Sequence, residues 1–215
     1  MLLINLVALV SGYLQYELLK NAADGGGIPM DEATSNDQRE QIIAIISVLL
    51  FIAGTVYFIM WFRRAYYNLW QLVPYLSFSE GWAAGAWFVP FINLVRPYRI
   101  MKELYVETSN ILRKNGHLDE DALSTKYLGL WWALYLIVVT GDQIISKLTI
   151  KADTIDDLLI ATQLGMIGNV IAIPFCLITI KVIRDYSKIE PLLSLEMVGE
   201  DSIEGIGERN ELDYD

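Results

Sequence analysis

The sequence predicts an all-α membrane protein with four transmembrane helices, a broken re-entrant or interfacial segment and an amphipathic cytoplasmic helix. Three observations favour this fold class. Hydrophobic residues make up 54% of the 215 residues and charged residues only 20%, an unusual balance for a soluble domain. Two stretches, 41–62 and 158–180, contain no charged residue and are long enough to cross a hydrocarbon core of about 30 Å. Lysine and arginine concentrate between the apolar stretches, as they do in cytoplasmic loops.

The chain contains four apolar stretches of spanning length. The predicted spans are residues 1–19, 41–62, 127–147 and 158–183. The first could instead be a cleaved signal peptide. It lacks a basic start and a small-residue cleavage site after the apolar run, so we expect a retained helix.

The distribution of basic residues predicts the orientation of the spans. Segment 63–126 holds eight of the 16 lysines and arginines, and the chain after residue 180 adds more. Segments 20–40 and 147–157 hold two each. Because cytoplasmic loops collect positive charge, segment 63–126 and both termini are expected to be cytoplasmic.

The segments between the spans differ in character. Residues 21–40 are glycine-rich, polar and acidic, which indicates a flexible outer connector. The second span is expected to continue as a helix towards Pro74. Residues 100–114 then show the helical apolar period and end at Asn115-Gly116. This amphipathic helix could lie on the membrane or on the inner face of the protein, or cover a small protein core, and the period alone does not separate these alternatives.

The stretch WFVPFINLVRPYR at residues 87–99 is apolar but too interrupted to be a fifth span. Pro90 removes a backbone donor and would stop or kink a helix. Pro97 is expected to push Arg96 towards an extended conformation. We therefore interpret this stretch as a broken element packed against the spans.

Two segments of the chain resemble a known family. WFRRAYYNLWQL at residues 61–72, followed by GWAAGAWFVPFINLVRPYR at 81–99 and a tryptophan-rich span, is similar to the bacterial family called domain of unknown function 4328. The resemblance covers roughly residues 41–185 and implies a multi-pass membrane protein with no assigned activity. The matching positions are Trp61, Arg64, Ala65, Tyr66, Asn68, Gly81, Trp82, Gly85, Trp87, Phe88, Pro90, Asn93, Leu94, Arg96, Pro97 and Tyr98.

The same stretch supplies the candidate binding residues for lipid or a partner. These are Trp87, Asn93, Arg96, Tyr98, Arg99 and Lys102. The basic side chains could hold anionic lipid headgroups, each contributing about 1 kcal/mol. Alternatively, Arg96 could donate to carbonyl groups that Pro90 and Pro97 leave without partners.

Two polar residues lie within the predicted spans. Asp142 could bind a cation or pair with Lys147, although an interfacial acid is the simpler interpretation. Asn169, which follows Gly165 and Gly168, favours close helix packing over ligand binding. The spacing of cysteine and histidine provides no metal motif, and no cofactor is expected.

These features favour a non-enzymatic accessory subunit of a membrane complex, whose partners are lipids and another membrane subunit or a second copy. The alternative is a small oligomeric transporter or channel component with Asp142 and Asn169 along its path; a lipid-acting enzyme ranks lowest. Residues 190–215 hold nine acidic residues against Arg209 and contribute most of the net charge of −10. This tail is predicted to be disordered until a partner binds. The chain has no basic face for nucleic acid.

Overall fold

The computed structural model describes residues 1–116, 123–193 and 195. Within these residues the chain forms helices and turns without a strand. The helices are α1 (Leu2–Ala23), α2 (Met30–Leu72), α3 (Trp82–Gly85), α4 (Arg96–Lys114), α5 (Leu128–Ile150) and α6 (Ile155–Ser187). In this part of the chain α1, α2, α5 and α6 are long and apolar enough to cross a membrane. The predicted all-α membrane fold is confirmed.

The chain divides into two compact units. The first unit comprises Met1–Val56 and Leu130–Ile180, and the second comprises Tyr57–Gly129 and Lys181–Asp215. The first unit therefore contains most of the apolar helical sequence. The second contains the segment between the second and third predicted spans.

The expectation of a flexible connector over residues 21–40 is wrong for most of its length. α2 begins at Met30, so only the residues between α1 and α2 form a connection. Asp31 and Glu32 lie in the first turn, where acidic side chains are favourable beside the positive end of the helix. The far end of α2 follows the prediction, since the helix continues to Leu72, two residues before Pro74.

Small residues allow the helices of the first unit to approach each other. A Cβ atom on Gly12 in α1 would lie 3.0 Å from Cγ of Met166 in α6. A Cβ atom on Gly168 in α6 would lie 3.3 Å from Cδ1 of Ile145 in α5. A side chain at either glycine would require the neighbouring side chain to shift by a few tenths of an ångström, so glycine permits the close van der Waals contact through which membrane helices associate.

Pro174 lies inside α6. Proline has no backbone N–H, so the hydrogen bond to the carbonyl group of the residue four positions earlier is absent. The carbonyl group concerned is that of Val170.

α4 covers the core of the second unit with its apolar face. The buried residues of the helix are Pro97, Ile100, Met101, Leu104, Tyr105, Thr108 and Leu112. The Tyr105 hydroxyl donates to the carbonyl oxygen of Val182 at 2.6 Å, and Thr108 shares a hydrogen bond of 3.2 Å with Tyr186. Of the alternatives left open by the helical period, the structure therefore shows an amphipathic helix that covers a protein core.

Burial changes the acid–base properties of one residue in this core. Loss of solvent raises the pKa of the Tyr105 hydroxyl well above its ordinary value, and the nearby Asp185 adds to the effect. The neutral hydroxyl is the form that donates to Val182.

The start of the predicted tail belongs to the second unit. Leu193 is fully buried, and the Glu190 carboxylate is mostly buried and paired. Residues 194 and 196–215, like His117, lie outside the described residues, and disorder in the tail stays a prediction.

Candidate functional site

The segment that carries the family resemblance folds as a series of short turns. After α3, a 3-10 turn forms at Ile92–Leu94. Phe91 has a φ of 62°, and the N–H of Ile92 donates to the carbonyl oxygen of Pro90 at 2.7 Å. This bond closes a γ-turn of the strained type, which bulky residues rarely adopt. The predicted broken element is confirmed.

Arg96 departs from its predicted backbone conformation. It is the first residue of α4 rather than an extended residue. Pro97 fits the first turn, because an amide N–H there would have no partner within the helix. The irregular backbone falls instead on Val95, with φ of −133° and ψ of −44°.

Trp87 packs inside the second unit. Its indole Nε1 donates to the carbonyl oxygen of Ala83 at 3.1 Å. Its ring meets Phe58 edge-on at 5.4 Å between centroids and Phe62 at 6.3 Å. These contacts anchor the broken segment to α2, while a role for Trp87 in binding stays a prediction.

The opposite side of the segment is apolar and exposed. Phe88 is 74% exposed and Phe91 is 85% exposed. We call the exposed set the apolar edge: Phe88, Val89, Pro90, Phe91, Leu94 and Val95. A continuous group of exposed apolar side chains usually marks a surface that contacts another protein or a membrane.

Arg96 lies at the border of the apolar edge, stacked on an aromatic ring. Its guanidinium carbon is 3.9 Å from the ring centroid of Trp82 and 5.6 Å from that of Phe78. Cation–π contacts of this kind contribute about 0.5–2 kcal/mol. Within the described residues Arg96 makes no hydrogen bond to a carbonyl group, so the suggested contact with groups freed by Pro90 and Pro97 does not form.

Arg96 and Arg99 share a small groove in the second unit. The groove has a volume of about 180 Å³ and is lined by Phe78, Ile92, Val95, Arg96 and Arg99. The lining therefore combines two positively charged side chains with apolar ones. Asn93 is half-buried and is not among the lining residues.

The two remaining predicted binding residues lie on α4. Tyr98 is half-buried and Lys102 is exposed on α4. Their roles in binding stay predictions. The structure thus brings Arg96 and Arg99 into one groove and places Asn93 outside its lining.

A carboxylate that the sequence did not single out fixes the loop before α3. Glu103 accepts from the Tyr66 hydroxyl and from the Ser77 backbone N–H, both at 2.7 Å. The Phe78 carbonyl oxygen lies 3.1 Å from the same hydroxyl. Only its position on the polar side of an amphipathic helix distinguishes Glu103 in the sequence. That signal is too general to predict its role.

A second unpredicted contact involves Glu190. Its carboxylate lies 3.1 Å from Nη2 of Arg64 and accepts from Nδ2 of Asn68 at 3.1 Å. Both partners belong to the motif that carries the resemblance. The contact connects the residues just beyond α6 to α2 within the second unit.

The two intramembrane polar residues belong to the first unit. Asp142 is exposed on α5, and within the described residues no basic group, including that of Lys147, lies within 4 Å of it. Asn169 is half-buried on α6 beside Gly168, which makes the close contact with α5, and a packing role for Asn169 itself stays a prediction. A Cβ atom on Gly165 would meet no atom within 4 Å, so the tight contact is made by Gly168 rather than by Gly165.

A polar cluster between α1 and α2 was also not predicted. Arg39 Nε donates to the Ser11 hydroxyl oxygen at 2.7 Å, and Arg39 Nη2 donates to Oδ1 of Asn36 at 2.6 Å. The Ser11 hydroxyl in turn donates to Glu40. Ser11 and Asn36 are buried, and the polar atoms satisfy one another.

In the part of the chain that is described, the side chains do not assemble a set of metal ligands. No group of three or more histidine, cysteine, aspartate or glutamate side chains is placed to hold an ion there. Cys176 instead accepts from Nδ2 of Asn5 at 3.7 Å.

Four spanning-length helices and an interrupted segment define a multi-span, all-α membrane protein. The chain belongs to the family described as domain of unknown function (DUF4328), which matches residues 24–188. The matched region contains the apolar edge and the Arg96–Arg99 groove, while α1 precedes it. No curated protein and no solved structure matches the chain.

Proposed function

We propose that this protein is a non-enzymatic accessory subunit of a complex in the bacterial cytoplasmic membrane, with both termini cytoplasmic. The observation that carries the proposal is an open groove on α6 of about 410 Å³ in the first unit. It is lined by Gln163, Met166, Ile167, Val170 and Ile171. The orientation is supported by the basic residues of segment 63–126.

The groove has the pattern of a helix–helix interface. Its lining residues are spaced by three and four positions, so they form one stripe along α6. Four of the five are apolar. In a bilayer, helices associate through van der Waals packing rather than through a hydrophobic driving force, so an unfilled groove favours a fitting helix over disordered acyl chains. The occupant we propose is a transmembrane helix of a partner subunit or of a second copy.

The polar groups that converge in the described residues suit a structural role. Each carboxylate oxygen of Glu103 accepts one hydrogen bond, from Tyr66 or Ser77, and the members of the Ser11–Arg39 cluster bond to one another. A catalytic pair needs a nucleophile and a base aimed at a space where a substrate can bind. The groove on α6 contains Gln163 as its polar side chain, which is neither a nucleophile nor a base.

The test is the mass of the particle extracted in mild detergent from the membranes of the source cell. We expect a particle larger than one chain plus its detergent, with either a second copy or a distinct membrane subunit bound. A strictly monomeric particle would overturn the proposal.

A matched pair of variants locates the interface. Ile167→Trp places a bulky aromatic ring in the groove. It should reduce the fraction of protein found in the larger particle by about tenfold. Ile180→Trp makes the same change outside the groove at a residue with similar exposure, 55% against 54% for Ile167, and should leave the particle intact. Equal effects of the two variants would argue against the groove.

A further inference from the structure

We propose that the apolar edge and the Arg96–Arg99 groove together bind an anionic phospholipid. The phosphate would lie between the two guanidinium groups, and the acyl chains would lie along Phe88 and Phe91. This inference rests on the proposed placement of the second unit at the cytoplasmic face of the membrane. It adds a ligand class and a site to that placement.

The charge of the groove favours an anion. Within the described residues no carboxylate lies within 4 Å of Arg96 or Arg99. Two other arginines of the second unit pair with carboxylates: Arg63 lies 3.4 Å from Glu80, and Arg64 lies 3.1 Å from Glu190. The charges of the two groove arginines can therefore neutralise an external anion.

The geometry of Arg96 prepares it for a phosphate. Stacking on Trp82 at 3.9 Å restrains the plane of the guanidinium group, which lowers the entropy lost on binding. A planar guanidinium group matches two oxygens of a phosphate with two parallel hydrogen bonds. Arg99 lies one helical turn further along α4 and supplies a second cation to the same groove.

The backbone at Phe91 points to a function for its side chain. A non-glycine residue in this conformation costs about 1–3 kcal/mol, and such strain persists where the surroundings or a function require it. Here the side chain gains little in return within the chain, because it is 85% exposed. Burial of this ring among acyl chains would recover the stabilisation that apolar transfer provides.

The dimensions of the site suit a headgroup rather than a whole ligand. At about 180 Å³ the groove is smaller than the roughly 300–1,000 Å³ of sites for drug-sized molecules. A phosphate and glycerol fit a site of this class, while the acyl chains need a surface outside it. The apolar edge adjoins the groove, since Val95 belongs to both.

The experiment is native mass spectrometry of the full chain in mild detergent, titrated with phosphatidylglycerol or with phosphatidylcholine of the same acyl chains. We expect phosphatidylglycerol to bind at least tenfold more tightly. Excess inorganic phosphate should displace it only weakly, because the free anion lacks the acyl chains. Equal affinity for the two lipids, or full displacement by inorganic phosphate, would overturn the proposal.

Two variants locate the site. Arg99→Gln should weaken phosphatidylglycerol binding by about fivefold, since one cation contributes about 1 kcal/mol next to an anionic headgroup. Arg113→Gln removes the same charge from the same helix outside the groove and should leave the affinity unchanged. If the two variants weaken binding equally, the preference reflects the net charge of the chain and not this groove.

Phe91→Gly separates binding from folding. Glycine adopts a φ of 62° without strain, so the second unit should be at least as stable as the wild type. Affinity for phosphatidylglycerol should nevertheless fall by about tenfold because the ring is lost. An unchanged affinity would remove the apolar edge from the site and favour a protein partner there.

The lipid proposal and the assembly proposal fail separately. If the wild-type protein forms the larger particle but binds phosphatidylglycerol no more tightly than phosphatidylcholine, only the lipid site is contradicted. A monomeric particle that keeps the preference contradicts the accessory-subunit proposal alone.

Discussion

Replacement of Leu104 by alanine tests whether the apolar face of α4 covers a protein core. The side chain is fully buried in the second unit. Deleting a buried leucine side chain removes its transfer free energy and leaves a cavity, at a cost of about 3–5 kcal/mol. Since about 1.4 kcal/mol is a tenfold change in an equilibrium constant, 3 kcal/mol raises the unfolded fraction of the second unit more than a hundredfold.

Hydrogen exchange in detergent micelles measures this change unit by unit. Backbone amides of α4 that exchange through unfolding of the second unit should exchange more than a hundredfold faster in Leu104→Ala. Amides of α1, in the first unit, should change much less. The matched control is Leu94→Ala, which removes the same atoms from the same unit at a half-exposed position and should cost at most about 1 kcal/mol.

The result that would refute this reasoning is equal exchange in the two leucine variants. If the apolar face of α4 rested on the membrane surface instead, Leu104→Ala would lose only contact with the detergent. Its amide exchange in micelles would then change little, as in Leu94→Ala. Faster exchange in α4 without a matching change in α1 therefore supports a protein core under this helix.

Three further predictions concern the polar contacts. Glu103→Ala removes the acceptor of two hydrogen bonds at 2.7 Å, including that of the Ser77 amide, and should lower the free energy of unfolding of the second unit by about 2–4 kcal/mol in denaturant titrations. Arg39→Ala should release α1 from α2 through loss of the contact with Ser11, and limited proteolysis between these helices should become several-fold faster. Ionisation of Tyr105 should destabilise the second unit at alkaline pH: the folded-state pKa is raised, so its stabilisation is fully present below the ordinary pKa of about 10 and is lost as pH rises further.

Conservative variants provide the controls for these predictions. Glu103→Gln keeps one acceptor oxygen and should lose less stability than the alanine variant; an equal loss would mean that the hydrogen bonds do not matter. Lys20→Ala removes a charge near the end of α1 outside the cluster, and proteolysis as fast as in Arg39→Ala would contradict the proposed contact. Tyr105→Phe should lose stability at neutral pH and show a weaker alkaline decline, whereas an unchanged decline would assign the titration to other groups.

The parts of the fold that the sequence predicted depend on short-range patterns. The spans follow from apolar length, and α4 follows from the spacing of Ile100 and Leu104. Its end follows from Asn115-Gly116, where Gly116 has a φ of 74° and α4 ends one residue before Asn115. Local composition is sufficient for such features because the cause lies within one helix.

The features that the sequence missed depend on distant partners. The polar start of α2 contacts α1 through Arg39 and Ser11, which are 28 residues apart. Nothing in the local composition of residues 30–40 shows this partner, and the segment therefore resembled a connector. Glu190 similarly contacts Arg64, which lies 126 residues earlier in the chain.

The candidate site was predicted in part. The proline-flanked arginines, which the sequence singled out, lie in one groove. The stack of Arg96 on Trp82 could not be anticipated, because it requires the turns between α3 and α4 to bring residues 14 positions apart together. The prolines had suggested carbonyl partners for Arg96 instead.

Pro174 has a consequence for the choice of partner. Without an N–H at this position, the carbonyl group of Val170 lacks its helical donor, and Val170 also lines the open groove on α6. In hydrocarbon a carbonyl group without a donor costs several kcal/mol, so a donor supplied at this depth would stabilise the proposed interface. A partner helix with a serine, threonine or asparagine at this level would satisfy the acceptor, whereas a purely aliphatic helix of the same shape would not. Under the accessory-subunit proposal, the groove would thus select its partner by polarity as well as by fit.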